Sequence, residues 1–242
     1  MFEYREVERP YPGLRPFEPW ENSIFFGRDR HIDRLQDILK SRHFLTVTGP
    51  SGSGKSSLVR AGLLPALPLG AIGTGTSWRL VIMRPGDKPI SNLAKELFDP
   101  NELEPELKQI EKLTNSAPTL PTLEAELRRG PLGLIDLISD LRRYSEDSDF
   151  NLLILVDQFE EIFTYADAGI DQADESDAFV NLLLAASQKK DARIFVVITL
   201  RTDFLGACAR FQDLPDEINR FLYLKPRLNR QQFPGHLLRA IL

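Results

Sequence analysis

Eight consecutive residues constrain this chain more than any other feature: Gly49-Pro50-Ser51-Gly52-Ser53-Gly54-Lys55-Ser56, the pattern G-x-x-x-x-G-K-[ST]. Its glycines let backbone N–H groups curl around an anion with no Cβ in the way. A helix that follows aims its positive N-terminus at the same point. In such a cradle Lys55 reaches the β and γ phosphates of a nucleotide, the Ser56 hydroxyl ligates Mg²⁺, and Ser57 adds a contact near the α phosphate. A chance glycine-rich turn is the competing reading, and flanking context decides between them. Phe44 to Thr48 is a short apolar, β-branched run entering the turn, and SGSGKSSLVRAGLL leads out of it as a helix that Pro65 is expected to close.

The same alternation continues along the chain. Ile32, Leu35, Ile38 and Leu39 recur at helical spacing in a helix starting near Asp29. Trp78 to Met83 reads as a second strand, ended by the Pro85-Gly86 turn. Asn151 to Asp157 and Arg193 to Leu200 are continuous apolar runs, the pattern of strands buried on both faces. Phe221 to Pro226 is a plausible last strand. Helices are expected over Gly133 to Arg143 and from about Asp177 to Gln188. The polar, proline-spiced stretch from Asp99 to Gly130 predicts short helices and mobile loops. The expected fold is therefore α/β, three layers around a mainly parallel five-stranded sheet with helices on both faces. Prolines at 10, 12, 16 and 19 predict an extended N-terminal arm over residues 1–20, with the core over 21–226.

Asp157 ends the third strand, where a carboxylate can hold Mg²⁺ through water. Glu160 and Glu161 follow at distances that point back toward the γ phosphate if the chain turns into a helix. Either can polarise the attacking water, or both can simply favour a helix N-terminus by their charge. Arg201 ends the fourth strand, where it can sense the γ phosphate or pair with a neighbouring acid. Arg210 and Arg220 are candidates for a finger reaching across a subunit interface. No Asn-Lys-x-Asp follows the fourth strand, so adenine is the expected base, with Phe25, Phe26 and Arg28 placed to meet its ring and both phenylalanines equally good core residues.

Composition narrows the remaining classes. With a net charge of −5, the chain lacks the basic excess of a duplex-binding surface. A single cysteine, Cys208, can form neither an internal disulfide nor, with three scattered histidines, a zinc cage, which favours a reducing, cytoplasmic setting. The acidic stretch from Tyr165 to Asp177 lacks the spacing of a calcium loop and reads as a solvated loop. A small-molecule phosphotransferase would want an arginine-rich lid, for which residues 99–130 offer only Arg128 and Arg129.

Taken together, PGLRPF (Pro12 to Phe17), Phe25-Phe26-Gly27-Arg28, GPSGSGKSSLVRAGLLPAL, MRPGDKP, LVDQFEEIFT and ITLRTDFLGACA resemble the novel STAND-type NTPases. These are P-loop signal-transduction ATPases with numerous domains, related to NACHT and apoptotic ATPases. The resemblance implies the additional-strand type of P-loop sheet, with an extra strand between the two that carry the phosphate loop and Asp157. Asp157-x-x-Glu160-Glu161 is similar to the NACHT strand-end acid with tandem acids, and Arg201 matches the strand-end arginine of STAND proteins. It further implies a switch, ADP-bound at rest and ATP-bound when oligomerised. LNRQQFPGHLLRAIL (227–242 with its preceding residue) resembles the opening of a helical lid. The rest of the lid, an effector and sensor repeats are expected to lie outside these residues, and turnover is expected to be slow without them. A nucleotide-dependent scaffold that binds without hydrolysing is the alternative.

Overall fold

The computed structural model describes residues 12–13, 15–98, 103–114, 118–145, 148–166, 170–220 and 222–224. Its centre is a parallel sheet of β1 (Phe44–Gly49), β2 (Trp78–Met83), β3 (Asn151–Val156), β4 (Ile194–Arg201) and β5 (Leu222–Leu224), in the order β2-β3-β4-β1-β5. The added strand is thus β4, which pairs with β1 from Phe44↔Val196 to Gly49↔Arg201 and with β3 from Leu152↔Ile194 to Val156↔Ile198. β1, β3 and most of β4 are buried along their length, as expected of strands covered on both faces.

Alternate residues feed two separate cores. Leu45, Val47, Leu153, Leu155, Phe195 and Val197 pack against α1 (Asp29–Ser41) and the helical run after the glycine-rich loop. Leu152, Ile154, Val156, Val196 and Ile198 face the opposite layer. That layer holds α3 (Pro89–Leu97), α4 (Glu104–Thr114), α5 (Leu120–Leu127), α6 (Gly133–Tyr144) and α8 (Ile170–Gln188); α7 (Glu161–Ala166) links β3 to α8. The period-two alternation of each strand is what divides its side chains between the layers. Beyond β4, α9 (Leu214–Arg220) leads into β5 at the sheet edge. No helix among the described residues is long and apolar enough to cross a membrane.

Two sequence expectations are corrected. The helix after the phosphate loop is not closed by Pro65. It starts as α2 (Lys55–Ser57), widens into a π-helix over Leu58–Leu63, then tightens into a 3₁₀ helix over Leu64–Leu69. Pro65 sits in the first turn of that tight segment, where a missing N–H costs little, and Gly70 in the left-handed region (φ 81°) ends it. The acidic stretch before Asp177 is helical from Ile170, so that Asp174, Glu175 and Asp177 stand on α8 and not in a loop. The short helices expected over residues 99–130 are α4 and α5, and Leu103, Leu107, Leu123 and Leu127 are buried in the second core. Residues 227–242, read as a lid opening, lie outside the described residues.

Candidate nucleotide site

The loop joining β1 to α2 makes a turn closed by the Ser53 N–H donating to the Pro50 carbonyl at 3.2 Å. Gly52 (φ 68°) and Gly54 (φ 81°) both stand in the left-handed region. A Cβ on Gly52 would meet no atom within 4 Å, so it is the left-handed backbone, not internal packing, that calls for glycine there. Lys55, buried, curls its ammonium back to the Gly49 and Pro50 carbonyls, 3.1 Å from each. Burial pulls its pKa below the ordinary lysine value, while Glu160 and then Asp157 act in the opposite direction.

β4 brings the second half of the site to this loop. Because Val156 pairs with Ile198, the first residue after β3, Asp157, falls beside Thr199. Asp157 is fully buried, and its Oδ1 accepts from the Ser56 hydroxyl at 2.7 Å and the Thr199 hydroxyl at 2.6 Å. Oδ2 accepts from Arg60 Nη2 at 3.1 Å. The chain then turns sharply. Gln158 adopts φ 58°, uncommon for a side chain of its size, and is pinned by its N–H to Thr199 Oγ1 at 2.9 Å, while the Phe159 N–H donates to the Thr199 carbonyl.

This turn separates the tandem acids. Glu160 lines the cleft above the loop and accepts the Arg201 N–H on Oε2 at 3.2 Å. Glu161 points the other way and accepts the Gly86 N–H after β2, at 3.2 Å. Arg201 also lines the cleft, its guanidinium paired with Asp203 at 2.5 Å and lying 5.3 Å from the Phe204 ring centroid.

The cleft has a volume of about 600 Å³. Its floor is Ser51, Gly52, Gly54, Lys55, Ser56 and Ser57, and its far side is Gln158, Glu160, Thr199 and Arg201. The remaining wall is the arm, with Pro12, Arg15 and Phe17 reaching over the loop. The arm is tied down at several points. Phe17 N–H donates to Ser57 Oγ at 3.1 Å, Arg15 grips the buried Glu21 with two bonds of 2.7 Å, and Glu18 meets Arg60.

Phe26 and Arg28 do not line this cleft. Phe26 is 48% exposed, and Arg28 is buried at the start of α1, where it interacts with Tyr223 of β5 and burial lowers its pKa. Arg210 lies over Phe211 and Arg220 pairs with Glu217, both outside the cleft lining. Sequence reasoning missed four contributors: Thr199, Arg60, Gln158 and the arm as a wall. A threonine near the end of an otherwise apolar strand, and an arginine within LVRAGLL, were the available signals for the first two.

Comparison with known proteins fits this geometry. The family profile described as Novel STAND NTPase 1 matches residues 10–239. The chain belongs to that family. It is a P-loop nucleotide-binding NTPase module, and the order β2-β3-β4-β1-β5 is its additional-strand sheet. Among solved structures, the Aeropyrum pernix ORC2 protein in ADPNP–ADP complexes is similar at a TM-score of 0.53 and 13% identity, a likeness of fold. The match covers 90% of this chain and 50% of that one, so the STAND module spans about half the length of its structural neighbour. No protein of curated function matches the sequence.

The donor set suits magnesium. A hydroxyl and a carboxylate held 2.7 Å apart are hard oxygen donors, and Mg²⁺ commonly takes one or two of these with the rest of its shell from phosphates and water.

Proposed function

We propose that this module binds adenine nucleotide with magnesium in the cleft, hydrolyses ATP slowly, and acts as the switch of a larger cytoplasmic signalling protein. The observation that carries the reading is the contact between Ser56 and Asp157 across the inserted strand. It brings a hydroxyl and a buried acid together beside Lys55, under a cleft floored by the glycine-rich loop.

Each side chain then has a defined task. The loop N–H groups and Lys55 bind the phosphates, Lys55 exchanging its carbonyl partners for stronger anionic ones. Ser56 and Asp157 hold the cation, which supplies neutralisation of the phosphate charge. Glu160, which lines the cleft while Glu161 turns to Gly86, orients the attacking water. Arg201 neutralises charge developing on the transferred phosphoryl after leaving Asp203. The arm's Pro12 to Phe17 stretch supplies a wall for the nucleoside end. The resemblance to STAND proteins supports an ADP-bound resting form and an ATP-bound oligomer working with lid, effector and sensor-repeat domains.

The non-hydrolysing scaffold has one observation in its favour: both Glu160 and Arg201 are already engaged, with the Arg201 amide and Asp203 respectively. Nucleotide carried through purification, titration with labelled ADP with and without Mg²⁺, and phosphate release by wild type and Lys55→Ala test the proposal together. Retained adenine nucleotide and slow release abolished by Lys55→Ala are expected. Absence of measurable affinity for any adenine nucleotide sinks the reading, and binding with no release favours the scaffold.

A further inference from the structure

Arg60 is placed between two carboxylates that belong to different parts of the molecule. Its Nη2 meets Asp157 Oδ2 at 3.1 Å, and its Nη1 meets Glu18 Oε1 at 3.0 Å and Oε2 at 3.1 Å. The Arg60 side chain is only 14% exposed, Glu18 20%, and Asp157 not at all. Arg60 Nε is buried with no hydrogen-bond partner, so the guanidinium is sunk between the acids and not draped over a surface. A carboxylate taken wholly out of water is strongly disfavoured without a compensating charge, and the two hydroxyls on Oδ1 carry none. Among the described residues, Arg60 is the cation paired with Asp157. Glu18, for its part, sits on the arm that walls the cleft, one residue from the Phe17 amide that docks onto Ser57.

We propose that Arg60 is a built-in counter-cation for Asp157 which yields to magnesium and shifts its charge onto Glu18, so that cation binding tightens the arm over the nucleotide. The inference rests on the magnesium–nucleotide reading above. Its physical basis is charge competition. A divalent ion held by Ser56 and Asp157 repels the guanidinium and takes over the neutralisation of Asp157. Arg60 already contacts a second acid on its other edge, so its displacement has a ready seat and strengthens the Arg60–Glu18 pair. Coupling of this kind is reciprocal: whatever the cation does to the arm, docking of the arm does to cation affinity. Arg60 is on this account a positioning residue and takes no part in the chemistry.

The test compares thermal unfolding of the full chain as wild type, Arg60→Gln and Arg60→Lys, each with ADP in EDTA and with ADP plus Mg²⁺. In EDTA, Arg60→Gln is expected to melt roughly 5–10 °C below wild type, because Asp157 loses the cation it touches and keeps only the charge of Lys55, which makes no contact with it. Mg²⁺ with ADP is expected to recover at least half of that deficit, and Arg60→Lys, which keeps the charge, to show a smaller one. A deficit of the same size in both conditions means that Arg60 is only packing, and overturns the proposal. Glu18→Gln provides a second readout through hydrogen exchange at the Phe17 and Glu18 amides. Adding Mg²⁺ to the ADP complex is expected to slow exchange there several-fold in wild type and not in Glu18→Gln. Equal slowing in the two proteins also overturns the proposal, including where Arg60→Gln does not fold. Wild type alone distinguishes the two levels of failure. If it shows no magnesium-dependent ADP binding, the functional reading falls first.

Discussion

Thr199→Val tests whether the inserted strand holds Asp157, the proposed magnesium ligand, in place. The substitution keeps shape and β-branching and removes one hydroxyl. In the structure that hydroxyl donates to Asp157 Oδ1 at 2.6 Å and accepts the Gln158 N–H at 2.9 Å, at a position 1% exposed. A hydrogen bond to a charged group contributes about 1.5–3 kcal/mol, and a buried N–H left without an acceptor costs about 1–3 kcal/mol. Allowing for partial relaxation, the loss should be about 3 kcal/mol, a melting temperature lower by roughly 6–12 °C for a domain of this size. Thr199→Ser retains both bonds and gives up one methyl, so about 1 kcal/mol is expected. Far-UV circular dichroism melts of the three proteins measure the difference directly. The valine variant should also weaken Mg²⁺-dependent ADP binding more than metal-free binding, since Asp157 loses one of its two hydroxyl donors. A valine variant melting within about 2 °C of wild type would refute the reasoning, because that is less than 1 kcal/mol for a domain of this size.

The split between the tandem acids makes a second expectation: Glu160→Gln should lower ATP turnover by about a hundredfold or more with ADP affinity nearly unchanged, as for loss of a positioned base. Glu161→Gln, whose carboxylate holds the Gly86 amide, should act on thermal stability and leave most turnover intact, measured by phosphate release. Burial lowers the Lys55 pKa, and bound phosphates favour its ammonium form, so nucleotide binding should take up protons. The uptake should grow as pH rises from neutrality toward the ordinary lysine range, where the free site has lost part of its charge, and titration calorimetry in buffers of different ionisation enthalpy reads it. Before binding, the same shift makes the unfolded chain hold more protons than the folded one below that range, so the Lys55 contribution to stability rises with pH there. Cys208 is 1% exposed and its thiol pKa is pushed up to about 12 by burial, so maleimide labelling at pH 8 should require unfolding and track the melting curve.

How much of this was legible in the sequence depended on whether a residue's role is local. The loop from Gly49 to Ser56 carries its chemistry in adjacent residues, and the two-sided apolar runs at β3 and β4 announce burial wherever they pair. The strands could therefore be read, while the place of β4 between β1 and β3 was implied only by the family resemblance. The helix around Pro65 escaped because the first turn of a tight segment tolerates a proline that usually marks an end, and the early start of α8 because a run of acidic residues reads equally well as a loop. Phe26 and Arg28 were misplaced relative to the cleft for a related reason: nothing local reveals that α1 directs Arg28 toward Tyr223 at the far edge strand.

The inserted strand also explains why the site's other contributors were invisible. With β4 between β1 and β3, Ser56 and Asp157 approach each other across a strand that shares its end with both. Thr199 contacts Asp157 because Ile198 pairs with Val156, and Arg201 stands at Gly49 because the β1–β4 register runs unbroken to that residue. A slip of one residue in either pairing would turn Thr199 to the opposite face and replace it beside Asp157 with an apolar neighbour, Ile198 or Leu200. Register, not residue type, therefore converts an ordinary polar residue of an apolar strand into a ligand-positioning one. It is also why Gln158 is held at φ 58°: the turn must bring Glu160 back over the end of β4 while its first N–H remains on Thr199. The strain at Gln158 and the separation of Glu160 from Glu161 are consequences of the same pairing.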